Sequence, residues 1–428
     1  MIKLLCLSNG HGEDAIAIRI LRQLQQLPDP PELAALPLVG QGDAFRNCDI
    51  PIIGPVKPMP SGGFVYMDGR QLWRDLRGGL LQLTLSQVQA VKGYVKQGGV
   101  VLAVGDIVPL LFAWLSGANY AFVGTAKSEY YLRDEGGMLP RRRQEGWSGS
   151  VYLPWERWLM SRRRCKAVFP RDSLTTEFLQ QWSIPAFDVG NPMMDDLEPT
   201  RGTARFYGAD LEAKEQMRSL DILLLPGSRA PEAYDNWQQI LMGVSAIIQE
   251  LPQYKLKIDD PTLLFLGAIA PSLNLETFGQ ILESHGWRPQ AGLEGLPSWA
   301  DTEKTIGFTQ RNARLLLTQS AYNDCLHQAE FAIAMAGTAT EQFVGLGKPA
   351  IVIPGKGPQL TPAFAEAQSR LLGPSVILVQ QPYQVASAIQ QLLQNPDRLQ
   401  LISQNGKRRM GKPGASQRLV ACLQDRLL

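Results

Sequence analysis

The chain has 428 residues, 45% hydrophobic and 19% charged. That composition excludes intrinsic disorder and, at roughly 150 residues per domain, suggests two or three domains. Its 42 basic and 40 acidic side chains leave a formal charge of +2, so no whole-molecule field for nucleic acid is indicated and none is expected as a partner.

Five scattered cysteines and three histidines, His11, His285 and His327, speak against a disulfide framework or a paired metal motif. No metal and no resident cofactor are expected.

The apolar start, Met1 to Ser8, runs at once into Asn9-Gly10-His11-Gly12-Glu13-Asp14. It is read as a strand, Ile2–Ser8, rather than a secretory signal, and a cytosolic location is expected. A helix over Glu13–Leu27 follows, with apolar positions at Ala15, Ile18, Leu21 and Leu24. Leu33–Val39 is a strand, Pro55–Arg70 a Gly- and Pro-rich loop, Gln71–Gln97 largely helical, and Val100–Val104 a strand. The uncharged stretch Ile107–Ala126 is nominally long enough to span a bilayer. Pro109, Gly117, Asn119 and Gly124 interrupt it, so a helix followed by a buried strand is expected. Ala167–Pro170 is a strand, with a helix running to Trp182. Continuous apolar strands alternating with helices predict a parallel sheet covered on both faces.

The pattern restarts after the polar stretch Asp196–Asp221. Ile222–Leu225 is a strand, Trp237–Leu251 a helix and Leu263–Leu266 a strand. Asp259–Asp301 is otherwise read as surface loops or an insertion. Strands Phe331–Met335 and Ala350–Ile353 flank a helix over Thr340–Leu346, and Val376–Val379 and two helices close the chain. The expected fold is therefore α/β, with two doubly wound Rossmann-like domains facing a cleft. The first covers 1–195, a linker 196–220 and the second 221–395, with helices over 396–428 that can cross back to the first.

Ligands gather beyond the carboxyl ends of parallel strands, so the residues just after strands are the candidates. Gly10 and Gly12 suit either a ligand-holding turn or an ordinary strand-to-helix turn. Asp106 suits either a general base or the N-cap of the following helix. Gly227, Ser228 and Arg229 suit an anion, or a plain loop with a solvated arginine. Gly337-Thr338-Ala339-Thr340-Glu341 suits a pyrophosphate, with Glu341 on a ribose; Thr338 and Glu341 also fit a capping box. Gly355, Gln359 and Gln368 join this set, or belong to a flexible loop and the next helix. Between Leu139 and Lys166 eight basic residues meet two glutamates, with Trp147, Trp155 and Trp158 interleaved. That mixture fits an anionic membrane surface or a partly buried helix with a solvated basic end, and RNA less well.

Leu225-Pro226-Gly227-Ser228-Arg229 with Glu232, then Ala336–Glu341, then Gly347-Lys348-Pro349, resembles lipid-A-disaccharide synthase. Val189-Gly190-Asn191-Pro192-Met193-Met194-Asp195 is similar to another run of that family. The later motifs also resemble the peptidoglycan lipid-intermediate N-acetylglucosaminyltransferase. The resemblance implies a two-Rossmann, B-type glycosyltransferase that inverts the anomeric centre. It implies a UDP-sugar on the C-terminal domain, an amphiphilic lipid acceptor on the N-terminal one, and Asp106 as base. In the first loop only Asp14 keeps the family's chemistry; His11 and Asp14 stand as further catalytic candidates. Two alternatives share the fold: a UDP-sugar 2-epimerase and a non-catalytic nucleotide-sugar-binding protein.

Overall fold

The computed structural model describes residues 2–56, 80–139, 147–200, 219–251, 263–290, 297, 299–300, 305–355, 357 and 360–428. The chain divides into two compact units, Met1–Asp195 with Gly411–Leu428, and Asp196–Met410.

The first unit holds β1 (Lys3–Ser8), β2 (Glu32–Pro37), β3 (Gly99–Gly105), β4 (Tyr120–Gly124), the small hairpin β5 (Arg133–Asp134) and β6 (Gly137–Met138), and β7 (Cys165–Phe169). Five strands pair in parallel in the order β2-β1-β3-β4-β7. The helices are α1 (His11–Gln25), α2 (Asp43–Arg46), α3 (Leu80–Val95), α4 (Ile107–Ser116), α5 (Pro154–Met160) and α6 (Ser173–Gln180).

Strand side chains alternate between faces. Leu4 and Cys6 therefore pack with Ile16 and Ile20 of α1, while Leu5 and Leu7 pack with Leu110 and Ala113 of α4. Both faces are covered, so β1 is apolar along nearly its whole length rather than alternating. The stretch Ile107–Ala126 divides into α4 and β4 as its glycines foretell. Asp106 caps the helix start, and Gly117, at φ 87°, ends it in the left-handed conformation.

The second unit holds β8 (Leu220–Leu225), β9 (Leu263–Ala268), β10 (Arg288–Pro289), β11 (Thr305–Gln310), β12 (Ala313–Thr318), β13 (Phe331–Ala334), β14 (Ala350–Val352) and β15 (Val376–Leu378). The sheet order is β10-β11-β12-β9-β8-β13-β14-β15. Its six strands from β12 to β15 are parallel, and taken in chain order they run 3-2-1-4-5-6, the dinucleotide-fold arrangement. Its helices are α7 (Glu232–Glu250), α8 (Leu275–Ser284), α9 (Tyr322–Gln328), α10 (Thr338–Gly345), α11 (Pro362–Leu372), α12 (Gln384–Leu393) and α13 (Pro396–Met410). Trp237 of α7 is fully buried against this sheet, a burial worth roughly 3 kcal/mol.

Three expectations need correction. The second sheet is not purely parallel, because β11 runs antiparallel to both β10 and β12. The stretch read as loops over 259–301 contains the capped helix α8, whose Asn274 side chain accepts from the N–H groups of Glu276 and Thr277. The chain closes on three helices rather than two. Of these α12 and α13 stay with the second unit, and only α14 (Ala415–Arg426) belongs to the first. Most of the loop read over Pro55–Arg70 and most of the proposed linker lie outside the described residues, as do Arg141, Arg142 and Arg143.

Asp195 explains why α14 belongs with the first unit. Its carboxylate accepts the N–H groups of Gly414 at 2.6 Å, Ala415 at 3.0 Å and Ser416 at 2.7 Å. It thus satisfies the open end of a helix more than two hundred residues away in sequence. Leu419, Val420 and Leu423 then pack into the core cluster shared with α1.

Candidate functional site

In an open parallel sheet the loops diverge where the strand order reverses, and ligands bind there. In the first unit that point lies between β1 and β3. Ser8 is in register with Val104, so Asn9 and Asp106 emerge side by side. Asn9 Nδ2 donates to Asp106 Oδ1 at 2.7 Å, and the N–H of Val108 donates to the same oxygen at 2.9 Å. Asp106 is therefore the N-cap of α4. Being a cap does not consume the carboxylate: both bonds fall on Oδ1, and Oδ2 has no partner among the described residues. Burial pushes the Asp106 carboxyl up to about 6; the Val108 N–H opposes the rise, the charge of Glu13 adds to it, and the Asn9 amide opposes it.

Gly105 makes this pairing possible. It sits at φ 139°, and a Cβ there would collide with Asn9 Oδ1. Glu13, in the first turn of α1, reaches over the end of β3 and accepts a hydrogen bond from Thr125 Oγ1 at 3.3 Å. The N–H of Thr125 donates to Gly105 O at 3.1 Å. A second carboxylate thus stands at the same strand end. Asp14 is engaged differently: it is buried and accepts a hydrogen bond from Ser8 Oγ, tying α1 to β1. His11 opens α1, and its side chain lies outside the described residues.

The tryptophan-bearing segment belongs to the first unit as well. Trp147, Trp155 and Trp158 are exposed, and so is Leu111 of α4. The rings of Trp114 and Trp158 meet edge to face at 5.4 Å. Arg157 stacks on Trp182 and Arg162 on Trp158, with guanidinium-to-centroid distances of 4.0 and 4.4 Å. Arg164 donates to Trp114 O and Ala118 O. Glu156 pairs with Lys127 and accepts the N–H of Leu153 at 2.8 Å, and its charge also favours the charged form of Arg157.

In the second unit the order reverses between β8 and β13, the strands that carry the two glycine motifs. After β8, Gly227 adopts φ 98°, and Ser228 and Arg229 are exposed. After β13, the N-cap of α10 is Gly337, with no side-chain cap bond. The capping-box reading fails here: Thr338 is already the first helical residue. The helix therefore opens on a glycine, with Thr338 exposed and Ala339 half-buried. Thr340 is not available to a ligand, because it is fully buried and its hydroxyl donates to Ala336 O at 2.6 Å. Glu341 is buried in the first turn.

Gln368 of α11 donates through Nε2 to Ala336 O at 3.3 Å and Gly337 O at 3.2 Å, while its buried Oε1 has no partner among the described residues. The N–H of Gly355 is used internally, donating to Leu360 O at 2.8 Å. Gln359 lies outside the described residues. Lys348 is a clamp: its ammonium donates to the carbonyls of Leu326, His327 and Ala329 at the end of α9, and burial pulls its pKa down to about 8.

Sequence reasoning missed Asn9, Glu13 and Thr125. Asn9 and Glu13 lay within the first loop that was singled out and Thr125 within the stretch read as helix then strand, but only the strand order shows that they share one strand end.

No family model and no curated protein matches the chain. Solved structures do. The UDP-GlcNAc 2-epimerase of Neisseria meningitidis bound to UDP-GlcNAc superposes with a TM-score of 0.53 at 16% identity, covering 100% of both chains. The S. aureus MnaA–UDP co-structure gives 0.54 at 13%, covering 98% of this chain and 95% of that one. Acinetobacter baumannii MurG gives 0.51 at 13%, covering 99% of each. At such identities the likeness establishes the fold, a two-domain Rossmann-like protein of the B type. The resemblance to lipid-A-disaccharide synthase rests on the motifs alone.

Proposed function

We propose that this chain is an enzyme that acts on a UDP-sugar and transfers the sugar, with inversion, to a hydroxyl of an amphiphilic acceptor. The observation that carries the reading is Asp106. It is a carboxylate at a strand-order reversal, held through one oxygen, with the other open and a pKa near 6. A base of that pKa is ionised at neutral pH yet strong enough to accept a proton in the transition state.

In the proposed reaction the acceptor O–H gives its proton to Asp106, and the acceptor oxygen bonds to the anomeric carbon. The bond from that carbon to the diphosphate breaks, and its electron pair leaves with UDP. The leaving diphosphate gains charge, which Arg229 and the glycine-opened start of α10 are suited to stabilise. Gly227, Ser228, Gly337, Thr338, Ala339, Glu341, Gly355, Gln359 and Gln368 complete the proposed donor site. Thr340 serves through Ala336, and Asp14 through β1. The exposed Trp147, Trp155 and Trp158 beside basic residues support contact with an anionic membrane surface.

A second reading is a UDP-sugar 2-epimerase, favoured by the names of structural neighbours. Glu13 beside Asp106 would supply a second proton-handling group for it. The two are separated by incubating UDP-N-acetylglucosamine with the protein, alone and with a lipid extract. Transfer yields free UDP and a glycolipid only with the extract; epimerisation yields the manno epimer without it.

A further inference from the structure

The start of α7 touches two loops of the proposed donor site. Glu232 accepts the N–H of Leu360 through Oε1 at 3.2 Å, and a Cβ at Gly357 would collide with the same carboxylate. One turn on, Asn236 donates through Nδ2 to Pro226 O at 3.0 Å, and its Oδ1 lies 3.3 Å from where a Cβ at Gly355 would stand. Residues four apart share a helix face, so one short surface meets both the loop after β8 and the loop after β14.

The linkage continues. Leu360 precedes Thr361, whose hydroxyl caps α11, and α11 carries Gln368, which holds Ala336 O and Gly337 O after β13. Two loops are thereby joined through one turn of α7, and the third through α11. Glu232 and Asn236 are 9% and 4% exposed. Polar groups so deeply placed are costly unless their hydrogen bonds are made; Glu232 accepts from the Leu360 peptide and Asn236 donates to the Pro226 peptide.

We propose that Glu232 and Asn236 are positioning residues that set the spacing of the three post-strand loops, and through it the affinity for a nucleoside diphosphate. This rests on the nucleotide-sugar reading of that site. Neither side chain is assigned to the ligand; both act through the peptide groups they hold. A side chain at Gly357 would have to displace the Glu232 carboxylate.

The test uses the full chain with UDP as probe, comparing Glu232→Ala, Glu232→Gln and Asn236→Ala by titration calorimetry. Amide exchange is followed over 353–361. Glu232→Ala is expected to weaken UDP binding about tenfold or more, to speed exchange at Leu360, and to raise the donor KM more than it lowers kcat. Glu232→Gln is expected to restore all three, because its amide oxygen accepts the same N–H. If Glu232→Ala does not fold, Asn236→Ala is expected to show the weakened binding. A native chain that binds UDP while Glu232→Ala binds equally well overturns the proposal, and so does a Glu232→Gln variant as weak as the alanine. A native chain that binds no UDP fails the nucleotide-sugar reading and takes the proposal with it. Unchanged exchange at Leu360 fails the proposal alone.

Discussion

Replacing Asp106 by asparagine should cut turnover sharply and make the protein more stable at neutral pH. Burial raises the carboxyl from its ordinary 3.8 to about 6. A carboxyl raised on folding stabilises fully below its unfolded pKa, and that contribution is lost as pH rises through the folded one. At about 1.4 kcal/mol per pKa unit, ionising Asp106 costs the folded state roughly 3 kcal/mol by pH 7. Asparagine carries no such charge, and its oxygen still accepts from Val108 N–H and Asn9 Nδ2. Those bonds weaken when the acceptor is neutral, so the net gain is expected at about 1–2 kcal/mol. Urea denaturation of both proteins at pH 7.5 and 4.5 checks this. The variant's advantage should appear at pH 7.5 and shrink at pH 4.5, where the native carboxyl is itself protonated in the fold. Turnover should fall about 100-fold or more. A variant less stable than the native protein at pH 7.5, or one equally advantaged at both pH values, refutes the reasoning.

Gly105→Ala should drive Asn9 off Asp106; with that hydrogen bond lost, the acid limb of the pH–rate profile should move upward, which a kcat/KM profile checks. Asp195→Ala strips three hydrogen bonds from the start of α14 and is expected to cost about 2 kcal/mol; limited proteolysis should then cut near Gly411–Gly414, where the native chain resists. Trp155→Ala with Trp158→Ala should reduce co-flotation with anionic vesicles several-fold while leaving UDP affinity unchanged. Lys348→Met leaves three carbonyls at the end of α9 unpaired and should lower the urea midpoint markedly, without a change in the donor KM of the protein that remains folded.

Much of the architecture is legible in the residues, because a parallel sheet covered on both faces writes itself as short apolar runs. β1, β3, β4, β8 and β13 are all such runs. The antiparallel edge was hidden for the opposite reason. β11 and β12 are joined at Gln310-Arg311-Asn312-Ala313, a turn without glycine or proline, in which Arg311 takes the positive φ, at 53°. Post-strand glycines pointed to the second unit's reversal point, but spacing could not choose between a ligand cradle and a capping box. The backbone removes the capping box, by starting α10 at Thr338 with Gly337 before it. Asn9 and Asp106 are ninety-seven positions apart, and no local pattern foretells a pair that exists only because β1 and β3 are neighbours. Asp195 and Lys348 belong to runs that carry the family resemblance; both are clamps on helix ends.

The measurement that bears most directly on sugar transfer is mass spectrometry of the lipids made by cells that lack this protein. Cells complemented with the native chain should contain a glycosylated lipid that is missing from cells with none, and missing equally from cells carrying Asp106→Asn at the same protein level. An unchanged lipid profile in all three, with the manno epimer formed by the native protein from UDP-N-acetylglucosamine alone, would contradict transfer and leave the isomerase in its place.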